Sequence, residues 1–219
     1  MIKWKVSFRF YKICYYIALI LYGTIYRLDI KGRENVPQGA TMVCANHSNL
    51  ADPILVSLAF GTSHFMHYIA KIELFRIPIL SAVITKLGAI SVDRDLADIA
   101  TIKATLTYLK NDGKVVIFPE GTRTKQGEKV EVKTGAVKIA ERTGVPIVPI
   151  YVEREKKLFR KLALIIGEPY TIEKQKEKRH AEEYTALSEE LMNKIEALGI
   201  NGKHKNCTHK EARFENYRC

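Results

Sequence analysis

Cysteine is scarce in this chain and falls in no pattern. The four among its 219 residues are Cys14, Cys44, Cys207 and Cys219, and no two stand at a spacing that implies a disulfide framework. Cys44 lies in an apolar, strand-like run and Cys14 among aromatic and aliphatic residues, the setting of buried free thiols in a reducing compartment. His204 and His209 flank Cys207, but at no familiar metal-binding spacing, so no metal is expected. A Gly-x-Ser-x-Gly elbow is also missing, which leaves serine-nucleophile chemistry of the hydrolase type without support. Repeats and low-complexity blocks are absent. Acidic residues are in deficit, 24 against 35 lysines and arginines, for a net charge of +11. That balance calls for an anionic partner: nucleic acid, an anionic lipid surface or a phosphorylated substrate. The cations are spread over both ends with no nucleic-acid reader motif, so nucleic acid is not expected. What is present, 47% hydrophobic and 27% charged residues, fits a folded chain with one sizeable domain.

The amino terminus lacks the length to span a bilayer. Lys3, Lys5, Arg9 and Lys12 precede an uncharged stretch of 14 residues, Ile13–Tyr26, where a spanning helix needs about 20. No small-residue cleavage site of a signal peptide follows. Trp4, Phe8, Tyr11 and Tyr15 recur at helical spacing beside a stripe of Lys5, Arg9 and Lys12. Aromatics next to cations predict an amphipathic helix in the headgroup region; a helix packed on the protein's own core has the same spacing. The chain thus divides into a membrane-associated helical segment over 1–28, a main domain over 29–200 and a polar, loosely held tail over 201–219.

Over the main domain short apolar runs alternate with helical periodicity. Strands are predicted at 27–32, 41–45, 65–70, 88–92, 115–118, 145–152 and 162–166. Helices are predicted at 53–60, 78–87, 96–109, 134–142 and 181–198. The alternation predicts an α/β fold, with a mostly parallel central sheet flanked by helices. In such folds functional residues gather where strands end. The two most polar strand exits follow Ala45 and Phe118.

The first exit carries His47 and Asp52, spaced His-x-x-x-x-Asp. A loop entering a helix can fold that carboxylate onto the imidazole, fixing the tautomer and leaving the second nitrogen to take a proton. A helix cap and a structural loop histidine account for the same residues. The second exit reads Phe118-Pro119-Glu120-Gly121-Thr122-Arg123. Glycine lets a backbone approach a ligand, arginine offers a fork for phosphate, and Glu120 can accept from a hydroxyl. An ordinary tight turn with a solvated ion pair is the plainer account. A third strand, from Gly88, ends in Asp93-Arg94; Arg94 and Arg123 could meet over one phosphate. His64 and His67 are three apart, and the strand pattern through Phe65-Met66 would place them on opposite faces; they are not expected to be catalytic. The basic run from Arg154 to Lys161, with Leu158 and Phe159 inside it, reads as a solvated loop or a second membrane contact.

Together these residues resemble the glycerolipid acyltransferases of the 1-acylglycerol-3-phosphate type. Asn46-His47 with Asp52 resembles their first block, and Gly88 to Arg94 their second. Phe118 to Arg123 matches the Phe-Pro-Glu-Gly-Thr-Arg block without a departure, and Val145 to Ile150 resembles the apolar fourth. All four occur in the family's order, within a similarity from about Gly32 to Glu168. The resemblance implies that His47 deprotonates the acceptor hydroxyl, with Asp52 orienting it. The hydroxyl then attacks an acyl thioester directly, with no covalent acyl-enzyme. It implies an acceptor site of Glu120, Gly121, Thr122, Arg123, Arg94 and, less specifically, Lys71. The expected acceptor is lysophosphatidic acid and the donor acyl-coenzyme A or acyl carrier protein, with no cofactor beyond that donor. The expected place is the cytoplasmic face of the cell membrane. Glycerol 3-phosphate or another lysolipid is the alternative acceptor, and a basic non-catalytic lipid- or nucleic-acid-binding protein is the alternative class.

Overall fold

The computed structural model describes residues 7–93, 99–125, 127–128, 130–175, 177 and 179–215, with backbone alone over 201–215. Among these the elements run α1 (Phe8–Ile25), β1 (Arg27–Lys31), β2 (Thr41–Ala45), α2 (Asp52–Phe60), β3 (Met66–Lys71), α3 (Pro78–Lys86), β4 (Ile90–Val92), α4 (Ile99–Lys110), β5 (Lys114–Ile117), α5 (Gly135–Thr143), β6 (Ile147–Val152), β7 (Lys161–Ile166) and α6 (Ala181–Glu215).

The strands form one sheet of order β1-β7-β6-β2-β5-β3-β4. From β6 to β4 every pairing is parallel; β7 returns antiparallel to β6 and carries β1 parallel to itself. The middle strands are apolar without alternation, as a strand covered on both faces requires, and every residue of β2 and β6 is buried. Pro149 is tolerated inside β6 because the ladder to β7 ends beside it. Ile150 pairs with Ile166, and Pro149 contributes only its carbonyl, which accepts from Gly167 N at 2.8 Å.

Helices cover both faces. Met42 and Cys44 point into a core closed by α4, α5 and α6, with Tyr108, Val137, Leu191 and Ile195. Val43 and Ala45 point the other way, onto Leu55, Val56 and Ala59 of α2, the period-2 alternation of a strand. Cys44 is fully buried and free, and burial pushes its thiol pKa up. α5 ends at Gly144, whose φ of 71° suits the left-handed residue that closes a helix.

Three details depart from the sequence-based expectations. The aromatic stripe of α1 faces outward only at Phe8, which is 46% exposed: Tyr11 is buried against Phe65, its hydroxyl donates to His64 O at 3.1 Å, and the Tyr15 hydroxyl donates to Leu58 O. Hydroxyls that find carbonyls favour the protein side. The face left outside is Ile13, Tyr16, Ile17, Ile20 and Leu21, each at least half exposed. Trp4 and Lys5 lie outside the described residues. α6 runs past the predicted end near Leu198 to Glu215. His64 precedes β3 instead of lying on it, while His67 is buried, stacked on Tyr108, and bonded to Gly88 O at 3.0 Å. Burial lowers the His67 pKa to about 4 against the raising effect of that carbonyl, so it stays a neutral packing residue.

Candidate active site

β6, β2 and β5 are adjacent and parallel, so their carboxyl ends emerge side by side, roughly 5 Å apart. The chain leaving each of them contributes to one polar cluster. Asn46, at the end of β2, is fully buried and extends the ladder with its side chain. Its amide donates to Val152 O and accepts from Val152 N, both at 2.8 Å. This staple fixes the base of the next residue, His47.

The His47 ring is held on two sides. Phe118 stacks on it with centroids 4.3 Å apart. Its Nδ1 lies 2.9 Å from Asp52 Oδ2, and a carboxylate there makes Nδ1 the protonated nitrogen. Nε2 carries no hydrogen bond among the described residues. The same Oδ2 accepts from the backbone N–H of Ser48 at 2.6 Å and of Asn49 at 2.7 Å. The four-residue spacing works because Asp52 opens α2, folding the turn back over its own carboxylate. Pro53 supports this turn, since its missing N–H falls among those that a first helical turn leaves unused. Asp52 is the first residue of α2, after Ala51, which makes no side-chain cap bond; its carboxylate serves His47 and the preceding turn and does not cap the helix. Burial alone would push its carboxyl up. The His47 bond, the charge of Lys156 and the Asn49 N–H outweigh that and hold it below the usual carboxylate range. Its contribution to stability is therefore present at neutral pH and lost as pH falls through the lowered value.

Glu120 is drawn inward. Its side chain is only 2% exposed. Oε2 accepts from His47 N at 3.1 Å and from Thr124 Oγ1 at 2.6 Å, and Oε1 pairs with Arg154 Nη2. Thr124 N in turn donates to His47 O at 2.9 Å. Arg154 also reaches Thr124 O at 3.1 Å and Glu196 of α6 at 2.6 Å. The loops after β2, β5 and β6 are thereby locked together, with α6 as their backing.

The sequence model of the acyltransferase family matches residues 27–153, the stretch that supplies His47, Asp52 and Glu120. The chain belongs to this family. It is 33% identical over 195 residues to the 1-acyl-sn-glycerol-3-phosphate acyltransferase of Bacillus subtilis, covering 86% of this chain and 96% of that one. A chloroplastic 1-acyl-sn-glycerol-3-phosphate acyltransferase of Brassica napus is 35% identical over 129 residues, but the match spans only 37% of that longer protein. Among solved structures, the 1-acyl-sn-glycerophosphate acyltransferase PlsC of Thermotoga maritima superposes with a TM-score of 0.65 at 27% identity. It covers 86% of this chain and 79% of that one.

Of the remaining acceptor residues expected from the acyltransferase blocks, Gly121 makes the turn after Glu120. Its φ is 66°, its N–H donates to Phe118 O, and a Cβ there would come 3.3 Å from Lys133 Cγ. Thr122 and Arg123 follow on the rim, and Arg123 is exposed with no ion pair among the described residues. Lys71 ends β3, two strands from His47, and pairs with Glu73 at 2.9 Å on the surface. Arg94 lies outside the described residues; Asp93 just before it follows β4 at the same sheet edge. The structure therefore brings His47, Asp52 and Glu120 into one cluster, with exposed Arg123 three residues on from Glu120, and leaves Lys71 two strands away.

Sequence reasoning missed Arg154 and Lys156. Both sit in a basic run that reads as solvated. Leu158 and Phe159 in that run are exposed, as such a reading expects, whereas Arg154 and Lys156 turn inward, their side chains 9% and 4% exposed. The signal available was their distance of two and four residues from the end of β6.

Proposed function

We propose that this chain transfers a fatty acyl group from a thioester to the sn-2 hydroxyl of 1-acylglycerol 3-phosphate, giving phosphatidic acid for phospholipid synthesis. The observation that carries the mechanism is the His47 ring, bonded to Asp52 through Nδ1 and free at Nε2. Nε2 takes the hydroxyl proton as the oxygen attacks the thioester carbonyl. The C–S bond breaks, and the imidazolium returns the proton to the departing thiolate of coenzyme A or acyl carrier protein. Asp52 stabilises the imidazolium between the two steps. Thiol release from palmitoyl-coenzyme A and palmitoyl carrier protein, each with lysophosphatidate or glycerol 3-phosphate, tests the reading. Release that requires lysophosphatidate supports it, and release with glycerol 3-phosphate alone moves the acceptor one acylation earlier.

Arg123 is read as a phosphate contact, and Lys71 and Arg94 are the further candidates for that role. Arg123→Ala is expected to raise the acceptor's KM about tenfold or more, the worth of a charge-assisted hydrogen bond, with the donor's KM nearly unchanged. An equal rise for both substrates would count against a phosphate role.

Among the described residues no helix is long and apolar enough to cross a membrane. The chain is read instead as lying on the bilayer through the outer face of α1, where Ile13, Tyr16, Ile17 and Ile20 follow helical spacing. Leu158 and Phe159 extend that face. Phe159 N donates to Ile25 O at the end of α1, and its ring is 73% exposed between Lys157 and Arg160. The cytoplasmic leaflet, with its anionic lipids, suits these cations. Ile17→Glu with Ile20→Glu is expected to weaken sedimentation with phosphatidylglycerol-containing vesicles by more than about tenfold, with melting unchanged because both side chains lie outside the core. Undiminished sedimentation would move the contact elsewhere.

A further inference from the structure

The His47–Asp52 pair has a third member that the family blocks do not contain. Lys156 leaves the end of β6 and buries its ammonium behind the pair. Nζ lies 2.8 Å from Asp52 Oδ1, 3.0 Å from Ser48 Oγ and 2.9 Å from Glu153 O. The contact to Oδ1 is a buried ion pair, and no other described group donates to that oxygen. The carboxylate is thus divided. Oδ2 serves the imidazole and two backbone N–H groups, and Oδ1 faces the ammonium alone. A buried lysine carries a desolvation cost that a solvated loop would avoid, and here it is held by three partners in contact with the residues that act on substrate.

We propose that Lys156 is a positioning residue that fixes the Asp52 carboxylate with Oδ2 toward His47 and, by its charge, opposes protonation of the imidazole before the acceptor arrives. The inference rests on the reading of His47 as the base. An aspartate alone beside a histidine favours the imidazolium, a form unable to accept a proton. With the ammonium on the far oxygen, the set is neutral overall when His47 is neutral and carries +1 when it is protonated. The same charge makes the imidazolium formed on attack a readier proton donor to the departing thiolate. The other charged groups around the ring are Glu120, on the His47 backbone N–H, and Arg154, which pairs with Glu120 and Glu196. Glu120 and Arg154 offset one another, and Glu196 carries a further negative charge on a side chain 41% exposed, where solvent screens it, which leaves the buried Asp52 and Lys156 to set the balance at the imidazole.

The test uses the full chain with Lys156→Gln, Lys156→Met and Lys156→Arg. Gln keeps an amide donor and Met keeps the aliphatic stem, so that a neutral replacement remains if one of them fails to fold. The His47 imidazole is titrated by nitrogen NMR, its signal assigned by its loss in His47→Gln. The pH dependence of kcat/KM is recorded alongside. Loss of the charge is expected to move both the titration and the acid limb of the rate profile up by about one pH unit, the lower end of what a nearby charge does. Lys156→Arg is expected to stay close to the unmodified chain. A titration that does not move in the neutral variants overturns the inference, as does an equal shift in Lys156→Arg. Full activity in His47→Ala would instead overturn the base reading, with the NMR titration still reporting whether Lys156 acts on the imidazole.

Discussion

His47→Ala is expected to lower kcat by about 10²–10⁴-fold, the contribution of a positioned general base, while the protein stays folded. The second half of that statement follows from the neighbours. Asp52 loses one partner but keeps the N–H groups of Ser48 and Asn49 and the ammonium of Lys156, so its charge remains compensated. The stacked face of Phe118 is exposed by the change, and the cost is that of one partly buried contact. kcat and kcat/KM should fall together, since the lost interaction acts in the transition state more than on bound substrate. Thiol release under saturating substrate, with a melting curve beside it, reads both. Retained turnover would remove His47 as the base.

Arg154→Ala is expected to have the largest effect on stability. Its guanidinium compensates Glu120, which is 2% exposed, and it also joins Glu196 and the backbone of Thr124. Removing one partner of a buried pair leaves an uncompensated charge, at a cost of about 3–5 kcal/mol. For a chain of this size that lowers the melting temperature by roughly 10 °C. Activity should fall as well, because Glu120 and Thr124 hold the backbone on both sides of His47. Arg154→Met combined with Glu120→Gln removes both charges and should recover much of the lost stability, as a double-mutant cycle between contacting residues would show. If the single substitution melted like the unmodified chain, the pair would be shown not to hold these loops.

Glu120 illustrates how the same residue reads differently at the two levels. In sequence it is a carboxylate after an apolar strand, and the acyltransferase resemblance points it at the acceptor glycerol. In the folded chain both of its oxygens are occupied by His47 N, Thr124 Oγ1 and Arg154. The Arg154 that meets it stands 34 residues away in sequence, a separation that no local pattern reports.

The sequence by itself determined the α/β alternation, because strand and helix periods are local and the middle strands are apolar throughout. It also determined the His47–Asp52 pair, whose partners are five residues apart and meet within a single turn. The strand order was decided only in the tertiary structure, since parallel neighbours are joined by crossovers whose destination is not a local property. That order sets the end of β6 beside the end of β2, and with it Arg154 and Lys156 beside the turn that carries His47 and Asp52. It also decided which side of α1 faces out, because Tyr11 and Tyr15 found carbonyls to bond. Charge and aromatic content alone leave a helix free to turn either face to lipid; hydrogen bonds to fixed acceptors remove that freedom.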